Sequence, residues 1–192
     1  MNSIAESTIH EYAKQFWRRE RDKCNPEGIL AFEAIARGED PVELLMKNHP
    51  YKLPHSNNTC LRIVVFTSPD EVKNLLVHDY LPNDDWMRKR GLTPQPFTRR
   101  LGTLASICLQ RSYFESQWND RQIRYYQDWK VRGSLTNVIE PEERPLIEIA
   151  ETGEHEIVDG WGRLLPFAAL LLEGLPFESL QAFCASPTFD PT

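Results

Sequence analysis

The sequence predicts an α+β protein with a small mixed sheet and an N-terminal helical extension. Two observations predict this class: the first 48 residues carry apolar side chains at helical spacing, and the later chain carries short β-branched runs bounded by turn residues. A chain of 192 residues is long enough to bury a hydrophobic core without disulfides or metals. No internal repeat or low-complexity tract is visible in the sequence.

The N-terminal segment predicts three helices, over residues 7–23, 29–37 and 41–48. The first helix places five apolar side chains on one stripe: Ile9, Tyr12, Ala13, Phe16 and Trp17. Residues 25–28 contain both proline and glycine, which predicts an interruption of helical structure between the first two helices. Asp40 as N-cap, followed by Pro41 at the first helical position, predicts the start of the third helix.

The remaining chain predicts the sheet and the helices that cover it. The predicted strands are 61–67, 146–150, 156–158 and 180–184. Helices are predicted from Ser68 onward and over 98–110, 121–131 and 164–172, with a long loop over 79–97. The proline-punctuated loop 49–59 predicts the seam between an extension, residues 1–59, and a main domain, residues 60–192.

Composition excludes a membrane span and argues for the cytoplasm. The longest apolar run, residues 164–172, is far shorter than the roughly 20 residues that cross a bilayer. The first 21 residues show no secretory signal. The four cysteines form no C-x-x-C pair, so they indicate neither a zinc ribbon nor a redox motif and fit a reducing compartment.

Charge is divided unevenly along the chain. The net charge of −6 argues against a protein that coats nucleic acid over its whole surface, but residues 88–132 carry ten Lys/Arg against three acids. Aromatic residues interleave with these cations, which favours a DNA surface containing Arg121, Arg124 and Arg132. The alternatives are a solvated helical face whose aromatics enter the core, or arginines that hold a nucleotide.

A short glycine-rich turn is the strongest candidate for chemistry. Gly160, Trp161, Gly162 and Arg163 lie where a predicted strand becomes a helix. Glycines allow a close backbone approach, and N–H groups at a helix N-terminus attract anions. The Arg163 guanidinium offers a fork of donors that matches phosphate geometry. The sequence therefore favours a phosphate cradle, with a plain structural link as the alternative.

Two carboxylates near the cradle are candidates for a metal site. Glu156 and Asp159 precede the turn, and carboxylates bind Mg²⁺ when it bridges phosphates. Strand alternation places Asp159 on the face of His155, a weaker candidate for general base, and Glu156 on the opposite face. The alternative role for Asp159 is to cap the turn. Glu140, Glu142 and Glu143 form either a second Mg²⁺ site or a solvated loop.

The segment HEIVDGWGRLLPFAALLLEG, with RPLIEIAETGE before it and PFESLQAFCA after it, resembles the core motif of the ParB/sulfiredoxin superfamily. The shared pattern is a proline-led strand, a glycine turn, a strand ending in Gly-x-x-Arg, a helix and a final strand. In that superfamily the Gly-x-x-Arg turn binds nucleotide phosphates. The resemblance implies that Gly160, Trp161, Gly162 and Arg163 bind ATP. Beside this resemblance, the position of Asp159 next to the turn makes Asp159 and Arg163 the candidate catalytic residues, acting with Mg²⁺ or another divalent cation.

Size, the N-terminal extension and the lack of further domains resemble the stand-alone, plasmid fertility-inhibition branch of this superfamily. That resemblance implies an ATPase and DNase that blocks DNA transfer through type IV secretion or conjugation in the bacterial cytoplasm. Its partners would be ATP, DNA and components of the secretion system. The sequence departs from the superfamily pattern at two points, and each argues against one of the activities known in that superfamily. Gly162 stands where sulfiredoxins carry their catalytic cysteine, which argues against sulfinic acid reduction. No helix-turn-helix domain follows, which argues against partition-site binding.

Two other functions remain open at this point. The first is a nucleotide-dependent kinase of the same fold that phosphorylates a small molecule and binds no DNA. The second is a non-enzymatic adaptor that binds a secretion component and has no need of Arg163.

Overall fold

The structure is a computed structural model that describes residues 2–54, 59–77, 81–92, 99–150 and 152–187. These residues contain a mixed α+β fold, as predicted. The strands are β1 (Asn2–Ser7), β2 (Thr59–Phe66), β3 (Leu76–Val77), β4 (Leu146–Ile149), β5 (His155–Asp159) and β6 (Leu180–Pro187). The helices are α1 (Ile9–Asp22), α2 (Pro26–Ala36), α3 (Pro41–Asn48), α4 (Pro69–Lys73), α5 (Leu81–Lys89), α6 (Leu101–Gln110), α7 (Arg121–Arg132) and α8 (Trp161–Leu172).

Capping residues set the starts of the N-terminal helices. The Thr8 hydroxyl accepts from the backbone N–H of Glu11, whose carboxylate accepts from the Thr8 N–H in return. The Asp40 carboxylate accepts from the N–H groups of Val42 and Glu43, which confirms the predicted start of α3. The predicted break at 25–28 is wrong in part: Asn25 caps α2, and the proline that follows is its first residue.

The predicted loop over 79–97 is also wrong in part, because α5 occupies its centre. Pro82 is the second residue of that helix, where a missing N–H leaves no intrahelical hydrogen bond unmade. The later prolines of this segment lie in 93–98, outside the described residues. Two short strands, β1 and β3, were not predicted from the sequence.

The sheet has the strand order β1-β2-β6-β4-β5-β3 and is mixed, as predicted. Three neighbouring pairs are antiparallel, namely β1 with β2, β2 with β6, and β4 with β5. The pairs β4 with β6 and β3 with β5 are parallel. Antiparallel β2 and β6 pair over eight residues each and form the longest ladder of the sheet.

Helices cover both faces of the sheet. On one face, α1 to α3 pack against Leu61, Leu146, Val158, Phe183 and Ala185. The edge of the Tyr12 ring contacts the Phe183 ring, with 5.7 Å between their centroids. On the opposite face, α4 to α8 bury a larger core against β2, β4, β5 and β6.

The predicted extension therefore shares the sheet and a core with the predicted main domain. β1 pairs with β2, and α1 is the inner helix of the first layer. This layer is what brings residues of the first 52 positions next to the turn at the end of β5. Within the described ranges, no helix has the combined length and apolarity needed to cross a bilayer.

Candidate anion-binding site

A cavity of about 280 Å³ lies where the N-terminal layer meets the turn between β5 and α8. Its lining comes from α1, the short 3-10 turn Pro50–Lys52, the first turn of α7 and the residues 159–163. Five of the lining residues are cationic: Arg19, Lys23, Lys52, Arg121 and Arg163. Two are acidic, Glu20 and Asp159, so the lining carries a net charge of +3 when His49 is neutral. A concave surface of this charge attracts anions.

The predicted cradle residues Gly160, Trp161, Gly162 and Arg163 all line this cavity. Gly160 precedes α8 with φ +96°, and a Cβ atom there would lie 2.8 Å from the Cβ of Pro145. The position therefore requires glycine for two reasons, the left-handed backbone and the close approach of Pro145. Gly162 is different: it is helical, and a Cβ atom there would first meet the end of a long side chain, Nε2 of Gln122 at 3.3 Å.

Two helices begin at the cavity, and no side chain caps either of them. In α8 the first intrahelical hydrogen bonds run from the N–H groups of Arg163 and Leu164 to the Gly160 carbonyl. In α7 the N-cap residue Asp120 directs its carboxylate to Arg90 and Tyr113 instead of to its own helix. The first N–H groups of an uncapped helix remain donors, and the helix dipole makes them attractive to an anion.

Arg163 is 6% exposed, and its Nε and Nη2 atoms are buried without a hydrogen-bond partner among the described residues. The Nε atom of Arg19, which is 7% exposed, is in the same state. Buried guanidinium donors without partners cost free energy, so native structures keep them where a ligand or ordered water supplies the acceptor. These atoms indicate where an anion would bind.

Asp159 lies among these cations as their internal counter-ion. Its Oδ2 atom accepts from Nη2 of Arg19 and its Oδ1 atom from Nζ of Lys52, each at 2.8 Å. Burial raises the pKa of the Asp159 carboxyl, but Lys52, Arg19 and Arg163 outweigh burial and hold that pKa well below 3.8. Burial also lowers the pKa of Arg19, and the charge of Asp159 more than offsets it, so the net shift is upward.

The described residues do not fit a Mg²⁺ ion held by Glu156 and Asp159. Both oxygens of Asp159 already accept from cations, and Glu156 is not part of the cavity lining. Over the described ranges, no group of three or more His, Cys, Asp or Glu residues is arranged to hold a metal. The predicted acidic cluster 140–143 includes a 3-10 turn outside this cavity, and Glu140 borders a different cavity.

A β-bulge explains why Asp159 lies on the face of β5 opposite to His155, contrary to the prediction. Leu146 pairs with Asp159 and Ile147 with Ile157, so Val158 is an extra residue in β5. Val158 and Asp159 therefore both face the N-terminal layer, where Val158 joins the core and Asp159 meets Arg19. His155 lies away from the cavity, with its ring 6.4 Å from that of Phe66, and burial lowers the pKa of its imidazole.

The basic segment 88–132 divides between core and surface. Four of its aromatic residues are buried: Tyr113, Phe114, Tyr126 and Trp129. Trp118 is 51% exposed, and Phe97 lies outside the described residues. Of the three arginines predicted to bind DNA, Arg121 lines the cavity, whereas Arg124 and Arg132 are exposed and do not. Trp161 packs edge-on against Trp86, with 5.1 Å between the ring centroids, so its ring joins the edge of the core.

Sequence reasoning missed the contribution of the N-terminal layer, namely Arg19, Lys23, His49, Tyr51 and Lys52. A signal for Arg19 was available, since it follows Phe16 by three residues and Tyr12 by seven and so lies on the apolar stripe of α1. A cation on a buried stripe needs a buried partner. Lys52 gave no such signal, because its position depends on how the turn after α3 packs.

Comparisons of the chain with models of protein families, with curated proteins and with solved structures found no match. Function is therefore inferred from the chemistry of the cavity and from the motif resemblance described above.

Proposed function

We propose that the protein binds the phosphate groups of a nucleotide, ATP, in the cavity at the start of α8. The observation that carries this proposal is the buried guanidinium of Arg163, whose Nε and Nη2 atoms have no partner among the described residues. A phosphate group supplies several acceptor oxygens in a geometry that a guanidinium matches, and it brings the negative charge that the lining lacks.

Charge and helix geometry both support a polyphosphate over a neutral ligand. The lining is net positive by three charges, and two uncapped helix N-termini border it. Arg163 and Arg19 would bind phosphate oxygens, while Asp159 keeps the cationic side chains Arg19 and Lys52 in place when the ligand is absent. Cations fixed in this way stabilise charge on a transferring phosphoryl group without having to reorganise.

We further propose the biological role that the motif resemblance implies. The protein would be an ATPase and DNase of the ParB/sulfiredoxin type that acts in the bacterial cytoplasm as a plasmid fertility-inhibition factor. It would block DNA transfer through a type IV secretion or conjugation system. Support for this role comes from the Gly160–Arg163 motif and its flanking strands, together with the exposed side chains of Arg124 and Arg132 as DNA contacts.

A small-molecule kinase of the same fold is the second candidate. The observation that favours it is that four aromatic residues of the basic segment 88–132 are buried in the core, which removes them from a DNA-binding surface. A kinase of this kind needs ATP and an acceptor hydroxyl but no DNA surface.

The first experiment measures ATP binding by titration calorimetry in phosphate-free buffer, with Arg163→Ala beside the wild type. We expect the variant to bind at least 100-fold more weakly, because it loses two charge-assisted hydrogen bonds worth about 1.5–3 kcal/mol each. The variant should still fold, which circular dichroism checks, because Nε and Nη2 of Arg163 have no hydrogen-bond partner among the described residues. Equal ATP affinity in both proteins would contradict the cradle.

A matched pair on α7 separates the cavity from a DNA surface. Arg121→Glu should weaken ATP binding about tenfold or more, because Arg121 lines the cavity, whereas Arg124→Glu should leave ATP affinity unchanged. Phosphate release and plasmid integrity are followed in the same samples. Phosphate release with DNA loss supports the nuclease, phosphate release alone supports the kinase, and ATP binding without either activity leaves the adaptor.

A further inference from the structure

A chain of hydrogen bonds that the proposed function does not use runs along one wall of the cavity. Nδ1 of His49 lies 2.9 Å from the hydroxyl of Tyr51, and Nε2 of His49 lies 3.2 Å from Oε2 of Glu27. His49 and Tyr51 both line the cavity that contains Arg19 and Arg163. A carboxylate, an imidazole and a hydroxyl in this order form the arrangement by which enzymes activate a nucleophile.

The proton positions in this chain follow from what each group can donate. The carboxylate of Glu27 can only accept a hydrogen bond. Nε2 of His49 therefore carries a proton and donates a hydrogen bond to Oε2 of Glu27. Nδ1 is then the acceptor, and the hydroxyl of Tyr51 donates to it. In this tautomer His49 is placed as the base toward Tyr51, and Glu27 is placed to stabilise the imidazolium that forms.

Packing fixes the imidazole. The His49 ring lies against the rings of Phe16 and Trp17, with 5.5 and 5.7 Å between centroids, and only 19% of its side chain is exposed. Side chains with locked rotamers hold a reactive geometry better than free ones. The position of His49 is therefore set by the buried core of the N-terminal layer.

The backbone segments that carry Tyr51 and Glu27 are held in place by separate contacts. Lys52, the residue after Tyr51, binds Oδ1 of Asp159 at 2.8 Å and so ties the turn to the end of β5. Glu27 precedes Gly28, where α2 approaches α1 so closely that a Cβ atom would lie 2.4 Å from the backbone of Glu20. Both ends of this chain of hydrogen bonds thus lie on elements that build the cavity.

We propose that Tyr51 is the nucleophile of a phosphoryl-transfer reaction in this cavity, with His49 as its general base and Glu27 as the residue that positions His49. The proposal rests on the proposed function in one respect, the binding of a nucleoside triphosphate at Arg163. It adds the acceptor of the phosphoryl group, which no residue of the cradle supplies.

The reaction balances in two steps. In the first, the Tyr51 oxygen forms a bond to the γ-phosphorus, its proton moves to Nδ1 of His49, the bond to the β,γ-bridging oxygen breaks, and the nucleoside diphosphate leaves with that electron pair. Between the steps His49 releases this proton to solvent. In the second, a water molecule attacks the phosphorus of the phosphotyrosine and gives a proton to Nδ1 of His49; the bond between phosphorus and the Tyr51 oxygen breaks, and that oxygen leaves with the electron pair and takes the proton from His49. The net reaction is hydrolysis of the triphosphate to diphosphate and inorganic phosphate.

The test is incubation of the full chain with ATP labelled at the γ-phosphate, followed by acid quench, peptide mapping of the label and measurement of phosphate release. We expect acid-stable label on Tyr51 in the wild type. Tyr51→Phe should lose the label and hydrolyse ATP at least 100-fold more slowly. Tyr126→Phe is the matched control, because it also loses a hydrogen-bonded hydroxyl but lies outside the cavity, so its label and rate should equal those of the wild type.

Two further variants separate chemistry from structure. His49→Gln should reduce kcat by about 100-fold or more, because general-base catalysis of this kind contributes about 10²–10⁴. Glu27→Gln keeps a similar shape but loses the charge that stabilises the imidazolium, so its kcat should fall while its KM stays unchanged. A variant with only a structural defect would raise KM or lower the folded fraction, which circular dichroism measures.

The outcomes distinguish this proposal from the proposed function. If Tyr51→Phe binds ATP and hydrolyses it at the wild-type rate, the nucleophile is wrong while the cradle stands. If the wild type hydrolyses ATP and its label lies on another residue, the nucleophile is again wrong. If calorimetry detects no ATP binding to the folded wild type, the proposed function fails and the triad fails with it.

Discussion

Asp159 and Arg163 lie four residues apart on one turn, yet they differ in whether their polar atoms have hydrogen-bond partners. Asp159 is satisfied by Arg19 and Lys52, whereas Arg163 keeps two donors without partners among the described residues. A buried carboxylate between two cations is stable only while it stays ionised, because protonation would leave the cations without a counter-charge. Among the charged residues that line the cavity, the buried atoms without partners are therefore guanidinium donors, which an anionic ligand would satisfy.

Asp159→Asn should change how stability depends on pH. The folded-state pKa of Asp159 is lowered, so its contribution is present above the ordinary value of 3.8 and is lost as the pH falls below it. At pH 7 the variant should lose about 3–5 kcal/mol of unfolding free energy, because Arg19 and Lys52 keep buried charges without a partner. Urea unfolding between pH 7 and pH 2 measures both effects, and the acid-induced loss of stability should be smaller in the variant.

The control for this experiment is Asp70→Asn, which removes an exposed carboxylate paired with Lys73. We expect it to change the unfolding free energy by no more than about 1 kcal/mol at any pH, as is usual for surface ion pairs. If the unfolding free energy falls equally steeply with decreasing pH in the wild type and in Asp159→Asn, the ion pairs of Asp159 with Arg19 and Lys52 contribute nothing to acid sensitivity.

At the scale of elements, the strand-turn-helix unit β5–α8 determines the site. The bulge at Val158 turns Asp159 toward the N-terminal layer, and Gly160 then reverses the chain so that α8 begins at the cavity. Simple alternation along β5 placed Asp159 on the face of His155, because alternation assumes an unbroken ladder. A bulge of one residue was enough to turn Asp159 from the face of His155 to the face where it meets Arg19 and Lys52.

Gly160→Ala should disrupt this unit more than Gly153→Ala. Both positions have positive φ, +96° and +80°, so each alanine costs about 1–2 kcal/mol of backbone strain. At Gly160 the new Cβ also meets Pro145 at 2.8 Å, whereas at Gly153 nothing lies within 4 Å. We expect an additional loss of about 1–3 kcal/mol at Gly160, together with weaker ATP binding, because the start of α8 must shift. Thermal unfolding and calorimetry of the two variants check this, and equal losses would contradict the role of Pro145.

At the scale of the whole molecule, the N-terminal layer is both a structural cover and a source of site residues. It buries one face of the sheet and brings Arg19, His49, Tyr51 and Lys52 to a turn more than 100 residues later in the chain. The cavity therefore exists only when this layer is packed on the sheet. A sheet with helices on both faces has no separable half that keeps the site.

The full chain should unfold in one cooperative transition. Unfolding in urea is followed by tryptophan fluorescence and by far-ultraviolet circular dichroism, and the two curves should coincide because both layers pack on the same sheet. Two separate transitions, one for a domain over 1–59 and one for a domain over 60–192, would instead support the division predicted from the loop 49–59.

The features that the sequence by itself determined are those that depend on interactions between residues close together in the chain. The starts of α3 and α4, the strands β4 to β6 and the glycine turn before α8 follow from caps, prolines, β-branched runs and positive φ, each of which acts within a few residues. The cradle segment at Gly160 could be selected for this reason, since a strand that ends in glycine before a helix leaves N–H donors exposed wherever the fold places it.

Only the tertiary structure decided the partners of that turn. Arg19 and Lys52 reach Asp159 across 140 and 107 residues of sequence, and no local pattern encodes such a distance. The same long-range packing placed four aromatic residues that were predicted to stack on DNA in the core. It paired both oxygens of Asp159, a predicted metal ligand, with cations. It also brought Glu27, His49 and Tyr51 into hydrogen-bond contact. Buried charges must find counter-charges, and which ones they find depends on how the layers close over the sheet.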